Sequence, residues 1–158
     1  MEVSDVQHAR ERIAEALAPT PLLLDPTLSE RLGRRVWLKV ESFQHTGSFK
    51  ARGALNWLRT AGDEELAGGL GAVSAGNHAL ALAWAARRTG VPVTIVMPEN
   101  ASPFKVEGSR ALGAEVVLVP DMMAAMPLLE AISRDEARPV LHPFNDANMA
   151  YGAASCGA

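Results

Sequence analysis

The chain predicts an α/β fold, in which a mostly parallel, four-stranded sheet forms the middle of three layers and helices flank it. Three observations predict it. Short apolar runs alternate with helical stretches of about ten residues or more, the rhythm of parallel strands covered on both faces. Residues 93–97, VTIVM, are nearly continuous in apolar character, as a strand buried on both sides requires. Aromatic residues make up only 5% of the chain while alanine abounds, which favours helices lying close on a flat surface over a sandwich. A length of 158 residues suits one compact domain. Crossovers between parallel strands are right-handed, and ligands of such sheets lie beyond the carboxyl ends of the strands.

Residues 6–18 read as a first helix. Ile13, Ala16 and Leu17 share one face, and Arg10, Glu11, Arg12 and Glu15 supply the wet one. Pro19 and Pro21 end it. Leu22, Leu23 and Leu24 form a short apolar run, and Thr27 is placed to cap a turn reaching Leu32. Residues 36–40, VWLKV, alternate and read as a strand. A helix follows over 49–58 with Ser48 as its cap. Residues 70–73 are a short strand between glycines, and 77–88 a helix rich in alanine and leucine that Gly90 closes. The strand at 93–97 leads through Ser102, a cap, and Pro103, a first-turn proline, into a helix over 104–112. Residues 116–119 give the next strand and 122–134 a looser helix interrupted by Pro127. Val140 and Leu141 suggest a fourth strand. Met122, Met123 and Met126, at helical spacing, read as core filling. The last nine residues carry little pattern and are expected to fray.

The charge balance, fifteen basic against eighteen acidic residues, leaves a net charge of -3 and argues against nucleic acid or an anionic membrane as main partner. No run reaches the roughly 18 apolar residues of a membrane span, and the first residues lack the apolar core of a signal peptide, so a cytoplasmic protein is expected. A single cysteine, Cys156, excludes an internal disulfide and any cysteine-cluster metal site, and nothing around it marks a nucleophile. His8, His45, His78 and His142 are too scattered to argue a metal centre, and no metal is expected. The glycines match neither of the common nucleotide-binding signatures.

Two islands carry candidate chemistry. Lys50 follows Gly47-Ser48-Phe49 at a helix start, where the helix dipole disfavours its charge and lowers its pKa. A neutral amine is what Schiff-base chemistry needs. The same lysine also fits a plain solvent-facing charge. The second island, Ser74-Ala75-Gly76-Asn77-His78, joins a buried strand to a helix. There backbone N–H groups and small polar side chains converge as a site for a carboxylate or phosphate. A simple helix cap by Ser74 or Asn77 accounts for it equally, and His78 fits packing as well as it fits a base. Glu99 suits a cleft or a solvent-facing turn.

Together the islands resemble a known family. Residues 39–54, KVESFQHTGSFKARGA, look like the lysine motif of the fold-type II pyridoxal-phosphate enzymes, and 74–79, SAGNHA, like their substrate-carboxylate loop. Residues 94–98, Lys105, Gly113-Ala114-Glu115 and His142-Pro143-Phe144 continue the likeness toward the threonine/serine dehydratase (threonine ammonia-lyase) branch. The resemblance covers roughly residues 19–149. It implies the small domain of a tryptophan synthase beta-like fold over 50–149, with 1–49 an N-terminal arm of a large domain and 150–158 a divergent tail. It implies that Lys50 carries pyridoxal 5'-phosphate as a Schiff base and later moves the α-proton. Phe49 then packs by the cofactor ring and Asn77 bonds to its phenolic oxygen, while Ser74, Gly76, Asn77 and His78 surround the substrate carboxylate. The implied reaction is β-elimination of water from L-threonine or L-serine, giving a 2-oxo acid and ammonia.

The branch narrows further by single residues. Cysteine and threonine synthases resemble the family but usually follow the glycine-asparagine pair with threonine, where this chain has His78. Serine racemases place a serine acid/base where this chain has Ala75, which has no proton to exchange. The chain also departs from the pattern. Family members are about twice as long, their glycine-rich phosphate loop is not recognisable here, Tyr151-Gly152-Ala153-Ala154 replaces a usual glycine-rich run, and His45 stands where proline is common. The expectation is an N-terminal fragment whose first forty residues are poorly anchored. An apolar edge open to a homo-oligomer or a partner chain is expected, with weak cofactor uptake and no turnover by these 158 residues alone. A non-enzymatic ligand-binding or structural remnant is the competing reading, and phenyl- or hydroxy-substituted serines stay open as substrates.

Overall fold

The computed structural model describes residues 1–135 and 138–158. Its centre is a parallel sheet of β3 (Leu70–Val73), β4 (Val93–Pro98) and β5 (Glu115–Val119), in the order β3-β4-β5. All six residues of β4 are buried, as its apolar run requires of a central strand. Val93, Ile95 and Met97 join the larger hydrophobic core, while Val96 faces the smaller one, so alternate residues serve the two faces. The expected fourth strand reduces to one parallel bridge between Gly71 and Val140. Gly71 donates to the Pro139 carbonyl and accepts from the Leu141 amide, each at 2.9 Å, and the chain then turns away at Pro143.

Helix α7 (Met122–Asp135) covers one face. Its inward residues are Ala125 and Leu129, one turn apart, and they pack with Val96 and Val119. The methionines expected in the core lie outside it: Met122, Met123 and Met126 are 49%, 86% and 43% exposed. The inward stripe is set by Ala125 and Leu129, and the methionine spacing belongs to the flank of that stripe. Helices α5 (Asn77–Thr89) and α6 (Pro103–Ala111) cover the other face. Every residue from His78 to Ala86 is buried, so α5 is an inner helix rather than an amphipathic surface one.

Outside α5 lie α3 (Lys50–Leu58), then α8 (Ala147–Ala154) and α1 (Val3–Ile13). The C-terminal segment expected to fray is therefore an ordered helix. Asp146 caps it, accepting from the Met149 amide at 3.0 Å, and Gly152 lies hard against α3. A Cβ on Gly152 would stand 2.6 Å from the Arg52 carbonyl oxygen and 2.7 Å from the Gly53 Cα. Gly53 answers from the other helix, where a Cβ would stand 2.7 Å from the Met149 carbonyl oxygen. Two glycines thus let the backbones of α3 and α8 touch.

The N-terminal arm is likewise better held than expected. Ala9 and Ile13 are buried, Arg12 donates to Asn56 Oδ1 at 2.5 Å, and Arg59 donates to the Arg12 carbonyl and to Glu15. Helix α1 begins three residues earlier than the sequence suggests, where Asp5 accepts from the Glu2 amide at 2.9 Å. It ends at Ile13 and passes into a 3-10 turn, Ala14–Ala16. Between α1 and α3 an antiparallel pair, β1 (Leu22–Asp25) and β2 (Val36–Lys39), encloses α2 (Pro26–Leu32). Asp25, not Thr27, caps α2, because its carboxylate reaches the Leu28 amide at 2.9 Å while Pro26 takes the first helical position. Leu22, Leu23, Leu24, Trp37 and Leu38 are exposed on this ribbon. A short helix, α4 (Asp63–Leu66), precedes β3. Ser102 makes no side-chain cap bond to α6, whereas Pro103 holds the expected first position.

Candidate active site

Lys50 opens α3, and the loop before it is unusual. Thr46 has φ 64°, a left-handed conformation that a β-branched residue adopts only under constraint, and Gly47 follows at φ 70°. The loop is fixed from both sides. His45 stacks on Trp84 of α5 with ring centroids 4.9 Å apart. Arg52, near the start of the helix, grips Glu41 with two nitrogens, each at 2.8 Å, and the Thr20 hydroxyl donates to the same carboxylate at 2.6 Å. Arg52 is 7% exposed, so this fork is an internal brace for the turn that presents Lys50. Ser48 does not cap the helix. Its hydroxyl is buried with no hydrogen-bond partner among the described residues, as is that of Thr46.

The Lys50 amine donates to the Pro143 carbonyl at 2.8 Å and stands 5.2 Å from the centre of the Phe49 ring. Burial lowers its pKa. The direction is the one the sequence suggests, but the cause is desolvation rather than the helix dipole. Phe49 itself is 42% exposed, leaving a ring face open beside the amine.

The 74–78 loop lies at the carboxyl end of β3 and feeds α5. Ser74 accepts from the Gly76 amide at 3.3 Å, and a Cβ on Gly76 would meet nothing within 4 Å, so the loop's mouth is open. Asn77 is exposed, and its Oδ1 accepts from Lys105 of α6 at 2.5 Å. With its oxygen engaged, the Asn77 amide presents its NH₂ as donor. His78 turns inward instead, 4% exposed, with Nε2 3.4 Å from the Leu141 carbonyl oxygen. Its Nδ1 is buried with no partner among the described residues. The segment 141–143 thus touches both islands, His78 through Leu141 and Lys50 through Pro143. Those two carbonyls, Glu41, Arg52 and the orienting Lys105 are site features to which the sequence alone assigns no role.

Burial above all, with the charges of Lys50 and His142 adding to it, pushes the His78 pKa down to about 4. His78 is therefore neutral in the folded chain at pH 7. Between about pH 6.5 and 4 the unfolded chain binds the proton and the folded chain does not, so stability falls as pH falls through that window. The loss is expected to reach on the order of 3 kcal/mol near pH 4, from 1.36 kcal/mol per pKa unit. Urea unfolding at pH 7.5 and 4.5 measures it. His78→Asn should flatten this part of the pH dependence, and an unchanged slope in that variant would contradict the assignment.

The chemistry of the donor set fits pyridoxal phosphate at its aldehyde and ring. An amine whose protonation is disfavoured, an aromatic face beside it and an amide NH₂ with its oxygen already held are the groups that such a ring engages. Among the described residues, no group of three or more His, Cys, Asp or Glu is arranged to hold a metal ion, and no helix is long and apolar enough to cross a membrane. The Cys156 thiol is pushed up by burial and by the nearby Glu41 charge, away from a nucleophile's range.

Known proteins resemble this chain in sequence and in fold. The chain is 37% identical to a phenylserine dehydratase of Ralstonia pickettii over 156 residues, which cover 99% of this chain and 48% of the relative. It is 37% identical to an L-threonine ammonia-lyase of Thermotoga maritima, covering 98% of this chain and 39% of that one. The solved structure of maize serine racemase superposes with a TM-score of 0.91 at 29% identity, covering 98% of this chain and 47% of that one. The chain thus spans about half the length of these proteins or less. The family described as pyridoxal-phosphate dependent enzyme matches residues 13–158, so the chain, with its lysine-bearing helix and its open glycine loop, belongs to the pyridoxal-phosphate dependent enzymes.

Proposed function

We propose that this chain supplies the lysine and the carboxylate loop of an enzyme that removes water from L-threonine or L-serine, releasing a 2-oxo acid and ammonia. The observation that carries the reading is the Lys50 amine, desolvated, held at the Pro143 carbonyl and set beside Phe49. Lys50 would hold the cofactor through its amine, Phe49 would lie along the ring, and the Asn77 NH₂ would donate to the phenolic oxygen. Ser74, Gly76, Asn77 and His78 would surround the substrate carboxylate: the loop amides and the Ser74 hydroxyl donate, and neutral His78 shapes the loop from beneath. Bound there, pyridoxal phosphate supplies a conjugated electron sink for the charge left when the Cα–H bond breaks.

The rest falls to the chain itself. Lys50, freed as a neutral amine, takes the α-proton, and as an ammonium it assists departure of hydroxide from Cβ. Release of the Pro143 carbonyl lets the amine swing between these tasks. Ala75 has no proton to deliver to the opposite face of Cα, which favours elimination over racemisation. An amino acid, as a small-molecule substrate, is the ligand in this reading, and the cytoplasm the setting.

The test is oxo-acid and ammonia release from L-threonine and L-serine by a cofactor-loaded enzyme of its relatives' full length that carries this chain. Equal molar release of both products from the L-isomers, without appearance of D-serine, is expected. Interconversion of L- and D-serine without ammonia would overturn the reading. Cofactor uptake with neither reaction would favour a ligand-binding module.

A further inference from the structure

Beside the lysine site lies an apolar recess of about 240 Å³ that the reading above does not use. Met122 and Met126 line it from α7, Val73 from the end of β3, and Val140, Leu141 and Pro143 from the segment that closes the site. Pro143 belongs to both, since its carbonyl accepts from the Lys50 amine at 2.8 Å. Among the described residues the one titratable lining residue, His142, has Nδ1 engaged by the Asn145 amide at 3.1 Å. No carboxylate, ammonium or guanidinium among the described residues lines the recess, so nothing there compensates a charged group.

Size and lining define what such a recess takes. An engineered apolar cavity of about 150 Å³ already binds benzene. Methionine thioethers are polarizable, adapt their rotamers and make favourable contacts at aromatic ring edges. The carboxylate of an amino acid goes to the 74–78 loop and its nitrogen to the cofactor, which leaves the β-substituent for a neighbouring recess. A methyl group or a hydrogen would leave most of this volume empty.

We propose that the recess is the side-chain subsite of the lysine site, and that it takes an apolar, aryl-sized β-substituent of a 3-hydroxy amino acid. The proposal rests on the function proposed above, but its binding step is measurable without catalysis. The chain labelled with ¹³C-methyl methionine is titrated with threo-3-phenylserine and, separately, with serine. Phenylserine is expected to shift the Met122 and Met126 methyl signals through its ring current. Met123, 86% exposed on the same helix and outside the recess, serves as internal control. Met126→Trp should abolish the response. In the cofactor-loaded protein it should lower the ratio of phenylserine to serine turnover, as kcat/KM, at least tenfold. Met123→Trp should leave the ratio within twofold.

Absent shifts, shifts shared equally by Met123, or an unchanged ratio in Met126→Trp would overturn the subsite. Selective shifts at Met122 and Met126 in a protein that, once loaded, turns over neither amino acid would support the subsite and overturn the proposed dehydratase reaction instead.

Discussion

Lys50→Ala is expected to lower release of 2-oxo acid from L-threonine and L-serine by at least roughly 10³-fold, the range lost when a positioned acid–base group is removed. Two roles disappear together, because the amine is both the cofactor's point of attachment and the group that moves the α-proton in the proposed mechanism. Folding should survive. The side chain is only partly buried, its hydrogen bond goes to the Pro143 carbonyl, and the brace between Arg52 and Glu41 is untouched. The check is steady-state turnover together with the absorbance of bound cofactor and a urea midpoint. A variant that unfolds normally and still releases oxo acid at the parent rate would exclude Lys50 as the acting base. Lys50→Arg should be as inactive, since guanidinium keeps its proton and forms no imine under these conditions.

The largest structural effect is expected from Gly152→Val. Its Cβ would meet the Arg52 carbonyl oxygen at 2.6 Å and the Gly53 Cα at 2.7 Å, both backbone atoms that cannot rotate aside. Helix α8 must lift from α3, and the loss should be about 2 kcal/mol or more, as for other overpacked interiors. Equilibrium urea unfolding measures it. Gly157→Ala, where the nearest atom is at 3.7 Å, should change stability by no more than a few tenths of a kcal/mol. Because Arg52 and Lys50 share the first turn of α3, displacement of that helix should also weaken cofactor uptake.

The parts of this fold written in local patterns were readable from the sequence. The strands at 70–73, 93–97 and 116–119 announce themselves as apolar runs between glycines and prolines, and α5 as an alanine-rich stretch closed by Gly90. Helix α8 was not readable as core because it packs by closeness rather than by bulk. Gly152 adds no apolar side chain, and the signal available, Asp146 three residues before Met149, is a cap rather than an apolar stripe. The methionines of α7 misled for the converse reason: Met122 and Met126 line a recess and Met123 faces outward, so none of the three fills the interior.

The site divides in the same way. GSFK and SAGNH are contiguous and visible, and the family match agrees with the cofactor they imply. The Leu141 and Pro143 carbonyls are backbone atoms without a residue signature, and they reach their partners across 63 and 93 positions. The inward turn of His78 goes with its contact to buried Leu141, 63 positions away, which no local pattern encodes.

The meeting of α3 and α8 also sets a schedule for the nascent chain. Asn56 donates to the Asn148 carbonyl across 92 positions, so one flank of α3 stays bare while the intervening residues are made. At ribosomal speeds of about 5–20 residues per second that interval is about 5–20 s. The β3–β4–β5 unit, built from neighbours in sequence, has time to assemble within it. Synthesis therefore delivers a sheet first and the lysine-bearing helix, braced on its second side, last. A pause in translation between these points would prolong the interval in which that flank is open to wrong contacts.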